Sequence, residues 1–164
     1  MAIDKEQITH LIQICQSSDW ESNKHSAPQM VQLEHIAYQE WASYRTERCL
    51  EAMDKGTPIP PVKLVFFELN DEPRVYDVSD GNHRCAARAK RQFADISAEI
   101  SGGYQIDTST LFIWQRMVWK DNGEDSDCLS CDRLDDELIQ GIEALGVRNR
   151  DKHANFGNSQ SEIQ

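Results

Sequence analysis

The stretch that decides the fold reads Val75-Tyr76-Asp77-Val78-Ser79-Asp80-Gly81-Asn82-His83-Arg84, followed by Cys85-Ala86-Ala87-Arg88-Ala89. Its first residues favour a β-strand, a polar turn around Gly81 follows, and alanine-rich helix formers come next. The stretch therefore predicts a strand that ends in a glycine turn and resumes as a helix. The first N–H groups of a helix lack internal acceptors and carry the positive end of its dipole, so the turn is a predicted phosphate site.

The side chains around this turn are polar and mostly cationic. His83 supplies an imidazole, and Arg84 supplies a guanidinium that is permanently charged and donates hydrogen bonds in pairs. Together with Arg88, Lys90 and Arg91, Arg84 places four cations within eight residues. This patch favours a small phosphorylated ligand, and an ordinary strand-to-helix connection with exposed charges stays open as the alternative.

The overall charge of the 164-residue chain opposes a general attraction to nucleic acid. The net charge is −11, and residues 120–164 carry five Lys/Arg against eleven Asp/Glu. Because non-specific binding to nucleic acid rests on cations that neutralise phosphates, DNA is a disfavoured partner, though a local basic patch keeps it open. No apolar run reaches the length of a membrane span, and no signal peptide is visible.

The five cysteines are odd in number and widely spaced, which favours a reducing cytoplasm over a disulfide framework. Cys128 and Cys131 form a C-x-x-C pair in an acidic loop. No second pair completes a tetrahedral metal site, and His153 alone supplies too few ligands. The role of this pair stays open.

The segments around the turn also have readable patterns. Helices are predicted over 4–16, over 43–55 and after Asp132, since apolar residues recur there at helical spacing. Strands are predicted over 30–33, over 62–69 after Pro60-Pro61, over 74–78 after a turn at 70–73, and over 96–100, where Gly102-Gly103 ends the strand. The apolar run 110–120 fits a helix or a strand. Residues 121–131 are predicted to form an acidic loop.

These parts in this order resemble the ParB/sulfiredoxin-like superfamily, over roughly residues 30–101. The specific residues are Pro60-Pro61-Val62 and the run from Val78 to Ala87. The resemblance implies an α/β (α+β) fold, with a small mixed sheet and flanking helices. We expect an N-terminal helix and linker over 1–29, this domain over 30–101, a helical acidic extension packed on it over 102–148, and a disordered tail over 149–164.

In that superfamily the Gly-x-His/Arg-Arg turn holds the phosphates of a nucleotide. The resemblance implies that a nucleoside triphosphate, ATP or CTP with Mg²⁺, binds at residues of the turn and its helix. Asp80 is the candidate metal ligand, because hard carboxylate oxygens suit Mg²⁺, although it could equally cap the helix. The candidate cofactor-binding residues are Asp80, Gly81, Asn82, His83, Arg84 and Arg88.

Members of the superfamily hydrolyse CTP, repair an over-oxidised cysteine with ATP, phosphorylate free serine, or are called nucleases. Asn82 stands where repair chemistry needs a cysteine, which disfavours that reaction. No basic DNA-binding region follows the domain, which disfavours a partition role. Glu40 lies near the position of the serine kinase base, and an ordinary surface glutamate stays open as the alternative. Glu40 and His83 are therefore the candidate catalytic residues of an NTP hydrolase or phosphotransferase.

Two other functions stay open. The first is a nuclease or DNA-associated factor that uses the cations after the turn. The second is a non-catalytic interaction module in which the acidic C-terminal third, with Trp114 and Trp119, faces a protein partner. We expect a cytoplasmic protein without a membrane anchor in each case.

Overall fold

The computed structural model describes residues 4–15, 20–22, 27–129 and 132–152. These residues form two compact units, one from 4–8 and 20–105 and the other from 9–15 and 106–152. The predicted α/β class is confirmed by the order of elements, which is α1 (Lys5–Cys15), β1 (Glu21–Ser22), β2 (Gln29–Gln32), β3 (Ile36–Ala37), α2 (Ser43–Asp54), β4 (Val62–Leu69), β5 (Val75–Asp80), α3 (Asn82–Lys90), β6 (Asp95–Ile106), β7 (Leu111–Trp114), β8 (Met117–Asp121), β9 (Ser126–Cys128), α4 (Asp136–Ala144) and β10 (Arg148–Asn149).

The first unit is built on a mixed sheet that has six strands within the described residues. Its order is β1-β6-β4-β5-β3, and β2 also pairs with β6. The β4–β5 pair and the pairs of β1 and β2 with β6 are antiparallel, whereas β3 and β5 run parallel. Helices α2 and α3 contact each other in this unit. The sheet is therefore the small mixed sheet that the sequence predicts.

Strand β4 lies at the centre of the core of this unit. Pro60 and Pro61 force the preceding backbone to be extended, and alternate residues of β4 are then fully buried. Helix α3 contributes Ala86 and Ala87, whose small side chains allow a close approach to the sheet. The buried cluster comprises Val31, Leu33, Ile36, Val62, Leu64, Phe66, Cys85, Ile96, Ala98 and Ile100.

Gly81 joins β5 to α3 and has a backbone conformation that only glycine adopts easily. It is the N-cap of α3, with φ 117° and ψ 24°. An added Cβ at Gly81 would lie 2.5 Å from Cγ1 of Val62. Both the dihedral angles and the contact with β4 therefore require glycine here.

Strand β6 is longer than predicted. It continues through Gly102 and Gly103 to Ile106 instead of ending at the two glycines. A Cβ at Gly102 would collide with the carbonyl oxygen of Glu21, and one at Gly103 with that of Phe66. The glycines thus permit close packing within the sheet, and the prediction that they end the strand is wrong.

The second unit contains a four-stranded sheet, counted over the residues described, in the order β10-β7-β8-β9. The run 110–120, which the sequence left open between helix and strand, is the β7–β8 hairpin. Its turn residues, Gln115 and Arg116, have φ of 52° and 61°. Their backbone N–H groups donate to the two carboxylate oxygens of Asp151, at 3.0 and 3.1 Å. This distant carboxylate stabilises a turn whose own residues do not favour it.

The expected helical extension over 102–148 is therefore largely a sheet. Its helix α4 begins after Asp135, whose carboxylate accepts a hydrogen bond from the N–H of Leu138 at 2.8 Å. The predicted acidic loop contains β9, and Asn149 of the predicted tail pairs with β7. Packing of this extension on the domain over 30–101 stays a prediction. Residues 153–164, the rest of the predicted tail, lie outside the described residues, as does Cys131.

None of the helices in the described ranges combines the length and the apolar character needed to cross a lipid bilayer.

We expect Gly81→Ala to lower the free energy of unfolding by about 2–4 kcal/mol, because it adds backbone strain to a collision with Val62. Gly56→Ala is the matched control, since Gly56 also has a positive φ of 73° but nothing lies within 4 Å of an added Cβ. The control should cost about 1 kcal/mol. Urea unfolding measures both, and equal losses in the two variants would contradict the role of the Val62 contact.

Candidate functional site

A cleft of about 620 Å³ lies between the glycine turn and the first half of α2 in the first unit. Its floor is the end of β5 and the start of α3. The opposite wall is formed by the first half of α2 and by Trp41, which lies two residues before this helix. The lining residues are Trp41, Tyr44, Arg45, Arg48, Cys49, Ser79, Asp80, Gly81, Asn82, His83 and Arg84. The structure thus brings most of the predicted binding residues to one cleft.

The backbone of the turn offers hydrogen-bond donors to this cleft. The N–H of Cys85 donates to the carbonyl oxygen of Gly81 at 3.1 Å, which is the first bond of α3. The N–H groups of Asn82, His83 and Arg84 precede that bond and have no acceptor within the helix. Gly81 has no side chain that could cap them. These three donors and the helix dipole are suited to an anion.

The side chains of Asn82 and His83 hold the loop that leads into α2. The Oδ1 atom of Asn82 accepts from the N–H of Gln39 at 2.9 Å, and Nε2 of His83 accepts from the N–H of Ala42 at 3.2 Å. His83 is buried, and its ring meets that of Trp41 edge to face, with centroids 4.7 Å apart. An Nε2 atom that accepts carries no proton in this arrangement. His83 therefore positions the loop, and its geometry does not present a base or a cation to the cleft.

Arg84 is likewise held by the protein. Its Nη1 atom donates to the carbonyl oxygens of Pro60 and Pro61, both at 2.9 Å, and Nη2 lies 3.2 Å from Oδ2 of Asp80. Arg84 thus links α3 to the proline segment before β4. Its positive charge still lies at the cleft, but its best-placed donors are already used.

Two arginines of α2 supply cations that the sequence analysis missed. Arg45 lies over the ring of Trp41, 4.4 Å from its centroid, and Arg48 lies 5.6 Å from the centroid of Tyr44. Neither arginine forms an ion pair with a carboxylate of the described residues. Nε of Arg45 donates to the Tyr44 hydroxyl at 3.4 Å and lowers the pKa of that phenol. The spacing of these residues along a predicted helix was the available signal.

Glu40, a predicted catalytic residue, lies in the loop before α2 and is not among the residues that line the cleft. Its Oε1 atom accepts from Nζ of Lys90 at 3.1 Å. This hydrogen bond to Lys90 is the main reason that the pKa of Glu40 is lowered. A general base works best with a pKa near the operating pH, so this placement favours an ion pair over a base.

Arg88, a predicted binding residue, lies outside the cleft. Its guanidinium stacks on Phe93, 3.8 Å from the centroid, and bonds to Asp95 through Nε and Nη2. Arg91 pairs with Asp54 at 2.7 Å. Because Arg88, Lys90 and Arg91 each pair with an acidic residue, the patch of cations seen in the sequence is not a free basic surface.

Asp80 is the acidic residue among those lining the cleft. No three His, Cys, Asp or Glu side chains in the described part of the chain are grouped to hold a metal ion. One carboxylate does suit Mg²⁺ when phosphate oxygens and water complete the octahedron. Asp80, whose Oδ2 atom lies 3.2 Å from Nη2 of Arg84, is the carboxylate at the cleft that would take this part.

Cys85 lies one turn into α3 and is fully buried. Burial raises the pKa of its thiol to about 12, against a smaller opposing effect of Arg84. A thiol that stays protonated is a poor nucleophile. This agrees with the interpretation that Asn82 in the turn excludes cysteine chemistry there.

No protein-family model matches the chain, and no curated protein matches it. Among solved structures it is similar to a free serine kinase in complex with ADP, at 19% identity and a TM-score of 0.39 over 50% of this chain and 34% of that one. It is similar to sulfiredoxin from Arabidopsis thaliana, at 18% identity and a TM-score of 0.35, over 51% of this chain and 92% of that one. It is also similar to a Pnob8-like ParB-N domain, at 15% identity and a TM-score of 0.30, over 51% of this chain and 30% of that one.

This chain spans about a third of the serine kinase and of the ParB-N chain. At these identities and TM-scores we draw nothing about activity from them.

We expect Cys85 and Cys15 to resist alkylation in the native protein at pH 8, because burial raises the pKa of each thiol to about 12. Exposed Cys128 should react at least tenfold faster, and all three should react alike in denaturant. Peptide mapping after a short iodoacetamide pulse measures this. Native labelling of Cys85 as fast as Cys128 would contradict the buried, protonated thiol.

The same burial predicts a loss of stability at high pH. Because the folded thiols keep protons that the unfolded chain releases near pH 9, their contribution is complete below that pH. It should decrease as the pH rises toward 12. Unfolding midpoints of the Cys15→Ala, Cys85→Ala double variant should show a weaker dependence on pH than wild type between pH 8 and about 10.5.

Proposed function

We propose that the protein binds a nucleoside triphosphate in the cleft between α2 and the glycine turn. The observation that carries the proposal is that Arg45 and Arg48, without carboxylate partners in the described residues, face the N-terminus of α3 across one cleft. In a chain with a net charge of −11, such an electropositive cleft favours a polyanionic ligand. The phosphates would accept hydrogen bonds from the N–H groups of Asn82, His83 and Arg84.

The cations and the backbone donors have complementary parts in this proposal. Arginine forks bind phosphate oxygens in pairs, and backbone N–H groups at a helix start bind them in a fixed direction. Asp80 would hold Mg²⁺ jointly with the phosphates. That ion, when bound, would neutralise charge on the phosphate oxygens.

The reaction that we propose for this site is hydrolysis of the nucleotide or transfer of its terminal phosphate to a small acceptor. Stabilisation of charge would come from Arg45, Arg48 and the helix N-terminus. Glu40 would be a weak base in this arrangement, because the hydrogen bond from Lys90 to its Oε1 atom lowers the pKa of the carboxyl group. Binding is therefore the part of the proposal that the geometry supports best.

Substitution of Arg45 or Arg48 by Ala should weaken the binding of ATP and CTP about tenfold or more, as expected for the loss of a charged hydrogen bond. Arg91→Ala is the matched control, since it removes the same charge from an ion pair outside the cleft. Isothermal titration with Mg²⁺ gives each dissociation constant. No binding by wild type, or equal losses in all three variants, would overturn the proposal.

If Glu40 serves as the base, Glu40→Gln should reduce release of nucleoside diphosphate about a hundredfold and leave nucleotide affinity unchanged. Glu47→Gln, on the exposed surface of α2, is the control for the charge change. Chromatographic detection of the diphosphate measures the rate. Unchanged turnover in Glu40→Gln would remove Glu40 from the mechanism while leaving the binding proposal intact.

A further inference from the structure

The cleft is larger than a chain of phosphates requires. Its volume of about 620 Å³ lies within the range of roughly 300–1,000 Å³ that is usual for sites of organic ligands. A water molecule takes up roughly 30 Å³, and each phosphate group is only a few times larger. Phosphates at the N-terminus of α3 would therefore leave space along the wall formed by α2.

That remaining wall is aromatic and open to solvent. Tyr44 is 53% exposed and Trp41 is 58% exposed, although both are large apolar rings. Two arginines contact the Tyr44 side chain. Arg45 donates to its hydroxyl, and the Arg48 guanidinium lies 5.6 Å from its ring centroid. A flat ring beside guanidinium planes is a surface on which a flat aromatic ligand stacks.

The two sides of the cleft thus suit two chemically different parts of one molecule. The turn suits phosphate, whereas Tyr44 and Trp41 suit a planar group. Apart from the two arginines, the α2 wall contributes the hydroxyl of Tyr44 and the thiol of Cys49 as polar groups to the lining, and the Tyr44 hydroxyl already accepts from Arg45. Among its lining residues, that wall has no carboxylate or amide side chain, which are the groups that read the edge of a base in pairs of hydrogen bonds.

We propose that Tyr44, assisted by Trp41, forms a stacking subsite for the nucleobase and that this subsite does not discriminate among bases. The inference rests on the proposed function, because it assumes that phosphates occupy the turn. Stacking tolerates any base, since every base has a π-face. The contribution of the base to affinity then comes from Tyr44, and the contribution of the phosphates comes from the arginines and the turn.

The test compares nucleotides with ribose triphosphate, which lacks only the base, by isothermal titration with Mg²⁺. Wild type should bind ATP, GTP and CTP within about threefold of one another and about tenfold more tightly than ribose triphosphate. Tyr44→Leu should lower the affinity for all three nucleotides to that for ribose triphosphate. Its affinity for ribose triphosphate should stay within about twofold of wild type.

Two variants serve as controls. Tyr44→Phe keeps the ring and should retain the preference for nucleotides, which separates stacking from the hydrogen bond of the hydroxyl. Phe93→Leu removes another exposed aromatic side chain of the same unit, outside the cleft, and should change nothing. Unfolding curves establish that each variant is folded.

Equal affinity of wild type for ATP and ribose triphosphate would overturn the subsite while leaving phosphate binding in place. So would an equal loss for both ligands in Tyr44→Leu, or no loss for either. Failure of wild type to bind both ligands would instead overturn the proposed function itself, and the subsite with it. The two failures are therefore distinguishable.

Discussion

The contact between Gly81 and Val62 is the constraint on which the first unit depends. At φ 117° the chain leaves β5 and enters α3 while its backbone lies directly against the first residue of β4. Any side chain at this position would separate the helix from the strand. Because the glycine allows that approach, the start of α3 is held at the sheet, and Arg84 of the same helix reaches the carbonyl oxygens of Pro60 and Pro61.

The polar side chains that follow Gly81 hold the architecture of the cleft. Asn82 and His83 accept hydrogen bonds from the loop before α2, and that loop carries Trp41 into the cleft. Trp41 in turn lies beneath Arg45. The turn therefore places backbone N–H donors at the cleft. Its side chains hold the loop before α2, and this helix carries Arg45 and Arg48. The cations that follow Gly81 in sequence, in contrast, each pair with a carboxylate of the protein.

Local patterns predicted most elements of the first unit, because alternation, proline and glycine act over a few residues. Patterns failed where distant atoms decide the outcome. Gly102 and Gly103 continue β6 since neighbouring strands approach them closely. The β7–β8 turn at Gln115 and Arg116 forms around the carboxylate of Asp151. Likewise, Arg88 was expected at the binding site and instead pairs with Asp95.

By itself, the sequence determined where a strand would end, where a helix would begin, and that the first N–H groups of this helix would lack acceptors within it. These properties follow from the conformational freedom of glycine and from the unpaired N–H groups of a helix start, which are local. Only the tertiary structure decided which cations face that turn. An arginine reaches several ångströms from its backbone, so its partner depends on neighbours in space: Arg45 and Arg48 border the cleft, whereas Arg88 and Arg91 are held elsewhere by carboxylates.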